Sequence, residues 1–322
     1  MKQEPGFIVC GEALFDVFQT GSTPSGMSLD ARVGGSPFNV AVGLARLAQP
    51  VAFFGALSRD TFGDFLAGAL TREGVEISTV VRTDAPTTLS MVSLDEHGVP
   101  SYAFDGEGRA DRQLGLEALE CVPVGARAIH LGSYATVVEP IAGTLRALVE
   151  REQQKALVAY DPNVRLNVVP DPATWRRAVE WMLRRTHLLK MSEDDLRVLA
   201  PGAGAEEFAA HALSAGVALF VLTRGPAGAT AWTRDATETV PAVPTQVIDT
   251  VGAGDTFQAA LLTSLAERGV LEHKALASLT GAEVRETLGF AARAAAITCS
   301  RRGADMPRRT DLAPSPPRAV RH

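Results

Sequence analysis

The chain has 322 residues, of which 46% are hydrophobic and 21% charged, and its formal net charge is −6. That length and balance suit one large α/β domain or two modest ones and exclude wholesale disorder. The acidic balance argues against nucleic acid as a partner, and three scattered cysteines (Cys10, Cys121, Cys299) make neither a disulfide framework nor a paired-cysteine metal site.

A reducing cytoplasm is therefore the expected setting. The first residues carry an acid and a proline where a signal peptide needs an unbroken apolar run. The most membrane-like window, 33–58, is broken by two prolines, Asn39, Gln49 and several glycines, so no membrane partner is expected. Of the 31 basic residues only four are lysine, at positions 2, 155, 190 and 274, which makes each worth locating.

In chain order, 7–11 reads as a first strand. Positions 36–47 read as a helix, with Ser36 as its cap, Pro37 in its first turn and Val40, Leu44 and Leu47 at helical spacing. A buried strand follows at 51–55 and a helix at 61–72. Short strands at 80–83, 89–95 and 99–104 are joined by turns at 84–86 and 96–98, which is hairpin-like sequence. Strands are then expected at 128–131, 156–161, 187–190 and 219–223, separated by helical patterns near 140–153, 173–185 and 205–215. This alternation implies a doubly wound, mostly parallel α/β sheet with helices on both faces. The segments 12–33 and 80–108 break it and are expected to form a small β lid. The body is expected to run to 307, with a flexible tail from 308 to 322.

The most informative stretch is DTVGAGDTF, 249–257. A Gly-Ala-Gly turn enters a helix with Phe257, Leu261, Leu262 and Leu265 as its apolar positions. Glycines let backbone N–H groups converge where the first helical turn has free donors and the dipole favours anions. A carboxylate, Asp255, shares that turn, which suits phosphoryl transfer: amides steady the phosphate charge and the acid accepts a hydroxyl proton. Local sequence alone leaves open that Asp255 is simply a helix cap. A second glycine turn, GGSPFN (34–39), precedes another helix and puts Asn39, both donor and acceptor, in its first turn. Neither a Walker-type loop nor a dinucleotide fingerprint occurs in the chain. Tyr102 and Phe104 alternate at strand spacing, and the six histidines lack metal-ligand spacing.

Together, the stretch from Gly34 to Gly63 and the DTVGAGDTF motif resemble the two signatures of the ribokinase-like (PfkB) family of sugar kinases, in the same order and over nearly the whole chain. The resemblance implies a ribokinase-like α/β body with a β lid and transfer of the ATP γ-phosphate to a sugar hydroxyl. By resemblance, Asp255 is the catalytic base and Gly252, Ala253 and Gly254 the anion hole. Asp16, Gly34, Gly35 and Asn39 resemble sugar contacts, with Tyr102, Phe104 and Arg165 offered to the sugar or, for Arg165, the transferred phosphate. Thr223, Gly225 and Gly228 resemble the strand and turn that border the nucleotide, Lys190 a phosphate contact, and Glu193 part of a Mg²⁺–water network. Asp249, Val251, Ser300 and Gly303 resemble a monovalent-cation loop that would hold K⁺.

The DPNVR element (161–165) resembles fructokinases and 2-keto-3-deoxygluconate kinases alike. The KMSE form (190–193) and Ala110–Asp111 resemble fructokinases. The implied reaction is fructose to fructose 6-phosphate. The rivals are the keto-acid sugar kinase and a catalytically silent sugar-binding regulator on the same fold. An apolar lid would also let two copies dock as a homodimer. Ala292 stands where many relatives carry an asparagine near adenine.

Overall fold

The computed structural model describes residues 6–94 and 100–312, with the side chains at 92–94 and 100–102 outside that description. Strand β1 (Phe7–Cys10) leads into the hairpin β2 (Leu14–Thr23) and β3 (Gly26–Gly34), then helix α1 (Ser36–Arg46) and strand β4 (Val51–Phe54). Next come β5 (Ala56–Ser58), α2 (Thr61–Arg72), β6 (Val81–Thr83), β7 (Leu89–Leu94) and β8 (Pro100–Asp105). From β9 (Ala128–Gly132) helices and strands alternate: α3 (Ile141–Glu152), β10 (Leu157–Asp161), α4 (Pro172–Leu183), β11 (Leu188–Ser192), α5 (Glu193–Leu199), α6 (Ala205–Ala215) and β12 (Leu219–Thr223). Then follow β13 (Ala229–Trp232), β14 (Thr237–Val240), α7 (Ala253–Glu267), α8 (His273–Ala277) and α9 (Gly281–Cys299).

Eight strands make the main sheet in the order β14-β13-β12-β11-β10-β9-β1-β4. It is parallel from β4 to β12, and β13 and β14 extend it antiparallel. Its strands are apolar on both faces, as a sheet covered twice requires. Phe7 and Val9 of β1 join one core with α1, α7 and α9, whereas Ile8 and Cys10 join a second core with α3, α4 and α6. Strand β12 divides the same way, Leu219 and Val221 to the first core, Phe220 and Leu222 to the second. The period-two alternation of side chains thus partitions each run between two helix layers.

The lid is a four-stranded sheet, β3-β2-β7-β8, with a parallel β2–β7 pair at its centre. The expected strand at 80–83 is present but does not belong to the lid. It is β6, which pairs in parallel with β5 against the body. Val81 donates its N–H to Gly55 O at 3.0 Å, and Asp60, the cap of α2, accepts from Thr87 N at 2.8 Å. Those bonds hold 80–88 to the body, so the second lid segment begins at Leu89. The expected turn at 96–98 lies outside the described residues.

Two further expectations shift. Ser36 is not the cap of α1; Gly35 is, at φ 103°, and Ser36 is the first helical residue with its hydroxyl free for another use. The first residues assigned to a tail are attached to the body. Arg308 pairs with Glu73 at 3.0 Å, Arg309 with Glu267 at 3.1 Å, and Leu312 packs on the first core. Residues 313–322 lie outside the described residues.

Helices α1 and α7 pack side by side, and a glycine sets their spacing. A Cβ on Gly43 would stand 2.7 Å from Ala259 Cβ and 2.8 Å from Met306 Sδ. Gly43→Val is expected to cost about 1–3 kcal/mol of stability through overpacking. It should lower the urea midpoint and, by parting α1 from α7, lower turnover as well.

Candidate active site

The site lies beyond the carboxyl ends of the parallel strands, the usual ligand edge of such a sheet. Two helix starts meet there. Gly252 caps α7 in the left-handed region at φ 75°, where a side chain would also strike Ala304 within 2.6 Å. Asp255 follows in the first turn and is 8% exposed. Its Oδ1 accepts from Ser36 Oγ at 2.6 Å and its Oδ2 from Asn39 Nδ2 at 2.8 Å, both from the first turn of α1. Each carboxylate oxygen is therefore aimed by one donor, so the acid is held rather than free to swing.

The amides of the turn are not equivalent. Ala253 N donates to Thr250 O at 3.2 Å, and Thr256 N to Gly252 O at 2.8 Å. The N–H groups of Gly252, Gly254 and Asp255 have no partner among the described residues, and these are the donors open to an anion. Ala253 was expected in the anion hole; its amide is already bonded, and Asp255 offers its own N–H instead.

Asp255, Gly252, Gly254 and Val251 line a cavity of about 520 Å³ together with Asp16, Gly35, Asn39, Phe104 and Arg165. Asp16 projects from β2 with its pKa raised, burial outweighing the hydrogen bond from Ser90 and the charge of Arg165. Gly34 is what lets it fit: a Cβ there would lie 2.5 Å from Asp16 Oδ2. Phe104 stands edge-on to Tyr134, with centroids 5.3 Å apart, and forms wall rather than an open platform. The side chain of Tyr102 lies outside the described residues. Arg165 is exposed at the rim and donates to Val164 O at 3.1 Å.

The sequence reading did not single out Glu12, Ser36, Ser90, Ser133, Tyr134 or Asn163 as site residues, and all six line the cavity. Ser36 carried a signal, its place next to two glycines, which was read as capping. Asn163 sits inside the quoted DPNVR element. The others come from strand ends that only folding brings together.

Lys190 was expected to meet a phosphate. The structure pairs it with Asp161 at 2.6 Å, with both side chains buried. Burial works to lower the Lys190 pKa, but Asp161, Asp195 and Asp255 raise it by more, so the ammonium stays charged. Burial pushes Asp161 up to about 6 even though Lys190 draws it down. A Cβ on Gly254 would lie 3.2 Å from Lys190 Nζ, so the ammonium sits directly behind the glycine turn.

The residues expected to border the nucleotide lie outside that cavity, on the same sheet edge. Ser192 and Thr223 are register partners at the ends of β11 and β12. Glu193, the first residue of α5, is half-exposed and pairs with Arg197 at 2.6 Å. Gly225 and Gly228 shape the turn into β13, where a Cβ on Gly228 would meet Val240 O at 2.1 Å. Asp249 joins the two segments of the expected cation loop: its Oδ1 accepts from Val251 N at 3.0 Å and its Oδ2 from Gly303 N at 2.8 Å. Ser300 caps α9 beside them and donates to Ile297 O at 2.7 Å. Ala292 is buried in the first core on α9. No cluster of three or more His, Cys, Asp or Glu able to hold a metal occurs among the described residues.

Residues 8–311 match the model of the pfkB family carbohydrate kinases. A fructokinase of Rhizobium leguminosarum bv. trifolii is 34% identical over 272 residues, 84% of this chain and 83% of that protein. A Xylella fastidiosa fructokinase solved with bound ATP superposes with a TM-score of 0.85 at 29% identity, covering 95% of this chain and 97% of that one. A fructokinase double mutant of Vibrio cholerae, solved with fructose, ADP and potassium, superposes with a TM-score of 0.81 at 25% identity, covering 97% and 98%.

The buried pair makes its own prediction. Lys190→Ala leaves Asp161 without its cation and should cost about 3–5 kcal/mol of unfolding free energy near neutral pH. Combining Lys190→Met with Asp161→Leu should recover part of that loss, as read from chemical denaturation.

Proposed function

This chain belongs to the pfkB family of carbohydrate kinases, and from that premise we propose that it transfers the γ-phosphoryl group of ATP to a hydroxyl of D-fructose, giving fructose 6-phosphate. The observation that carries the reading is the carboxylate of Asp255, fixed by Ser36 and Asn39 where a helix start with open amides faces a polar cavity.

Sugar sits under the lid between Asp16, Gly35 and Asn39, with Gly34 making room for Asp16 and Arg165 at the rim. Phe104 closes the lid side and limits water. Asp255 takes the proton from the attacking hydroxyl. The amides of Gly252 and Gly254, with that of Asp255, receive the charge on the transferring oxygens, and Lys190 adds a fixed positive charge behind the turn. The donors are in place before reaction, so little reorganisation is needed as charge develops. Thr223, Gly225 and Gly228 border the nucleotide.

Mg²⁺, when bound, neutralises phosphate charge, and Glu193 at the nucleotide edge would help hold it through water. The Asp249 carboxylate, spanning Val251 and Gly303 beside Ser300, would hold K⁺ and so set the position of the turn that carries Gly252. No helix among the described residues is long and apolar enough to cross a membrane. Three free cysteines support a reducing, cytoplasmic setting. The lid's outer strand exposes Met27 and Leu29, which supports a homodimer formed through the lid.

Asp255→Asn is expected to keep ATP binding and lower kcat about 10²–10⁴-fold, the range a positioned general base supplies. Near-normal turnover in that variant would remove Asp255 from the role. A coupled assay of ADP release across fructose, ribose, 2-keto-3-deoxygluconate and nucleosides, with and without K⁺, tests the substrate. Fructose should give the highest kcat/KM, and no ADP with any sugar would favour a silent binder. In light scattering, Leu29→Glu should shift a dimer towards monomer.

A further inference from the structure

One residue of the cavity wall has no part in the scheme above. Glu12 lies in the loop between β1 and β2 and is 1% exposed. It lines the same cavity as Asp255. Its Oε2 is fully buried yet has no hydrogen-bond partner. A buried polar atom left unmatched beside a polar cavity costs about 1–3 kcal/mol, and a ligand that completes its bonding recovers that cost.

The surroundings hold Glu12 in place. Ser133, which follows β9, lines the same cavity and works to favour the ionised form of Glu12. Ser133 adopts φ 55° and ψ −162°, a strained conformation for a residue with a side chain. Such strain persists where the surrounding structure over-determines the backbone, as at ligand sites. The carbonyl of Glu12 lies under Gly35, where a Cβ would come within 2.7 Å of it, so the loop also seats the start of α1.

We propose that Glu12 is a sugar-binding, specificity-determining residue of this chain, its free Oε2 donating a hydrogen bond to an oxygen of the bound sugar. This rests on the sugar-kinase reading above and adds a contact to it.

Burial favours the donor form of Glu12, against hydrogen bonding that favours the ionised form, and the neighbouring charges act in both directions. Asp111, in the short helical turn 110–112, raises its pKa; Arg165, from the loop after β10, lowers it. Asp111 is itself satisfied, accepting from Thr88 Oγ1 and, at 2.8 Å, from the Tyr134 hydroxyl. Arg112 lies over the Tyr134 ring, and Asp16 of β2 and Asp255 of α7 complete the charged groups of the wall. Burial is the largest influence and pushes Glu12 to about 8. It is therefore protonated at neutral pH, and its O–H can donate to a sugar oxygen.

The test uses Glu12→Gln, which keeps the shape and offers an amide donor at all pH values, and Glu12→Ala, which offers nothing. Fructose KM and fructose binding by calorimetry are followed from pH 6 to about 9.5, with ATP KM as control. In the wild type, fructose affinity should fall as pH rises through about 8, where the donor is lost. Glu12→Gln should keep affinity within a few-fold and flatten that profile. Glu12→Ala should raise fructose KM about tenfold with ATP KM unmoved, one hydrogen bond's worth. Unfolded glutamate ionises near 4.5, below the folded value, so wild-type stability should decline between pH 4.5 and about 8, and less so in Glu12→Gln. Fructose KM and pH profiles identical in all three proteins would overturn the assignment while leaving the kinase reading intact. If the wild type prefers another sugar, the same comparison is made with that sugar and only the fructose reading falls. A wild type that binds no sugar at all overturns both.

Discussion

Two helix starts must approach within hydrogen-bond distance of one carboxylate, and much of the molecule is arranged to make that happen. Asp255 opens α7, and Ser36 and Asn39 open α1, more than two hundred residues away in sequence. Their approach depends on small residues along the contact, Gly43 against Ala259, and on glycine caps that redirect the chain. Both helices lie on the same face of the sheet and share one apolar core. Burial of that face therefore stabilises the fold and sets the geometry of the acid in a single act.

The electrostatics follow from that convergence. Glu12, Asp16, Asp111, Asp161, Asp195 and Asp255 all gather near one sheet edge, in a chain already acidic overall. Three devices make this tolerable. Lys190 is buried among three of the acids and stays charged because of them. Hydroxyl and amide donors satisfy others, as Thr88 and Tyr134 do for Asp111. Glu12 escapes the charge by holding a proton. The acids at this edge are thus balanced by local donors and one shielded lysine rather than by a cluster of surface cations.

Much of this was legible before folding. Strands 7–10 and 219–222 alternate between two cores, and the alternation of short strands with longer helical patterns announced a sheet covered on both faces. The Gly-Ala-Gly-Asp turn was legible as a glycine-rich helix start with a carboxylate beside it, because these are local properties. Lid strands β7 and β8 were visible as hairpin sequence, whereas β2 and β3 showed only as a segment that breaks the alternation. Other features were read only in part. Strand β6 was seen but assigned to the lid, since a three-residue strand carries no mark of its partner. Ser36 was seen as a cap, since serine beside a helix start caps far more often than it holds an acid. Lys190 was expected to meet a phosphate, although Asp161, with which it pairs, stood within a quoted motif.

What the sequence determined by itself was local: periodicity, turn chemistry and the place of a carboxylate in a glycine-rich helix start, because each depends on residues within a few positions of one another. The tertiary structure decided which groups share a space. It closed Ser36 and Asn39 onto Asp255, set Lys190 behind the turn, and left Glu12 buried with an oxygen unmatched. Burial and hydrogen-bond partners at these places come from strand ends and helix starts scattered along the chain. Their physical properties exist only after the sheet has brought them together.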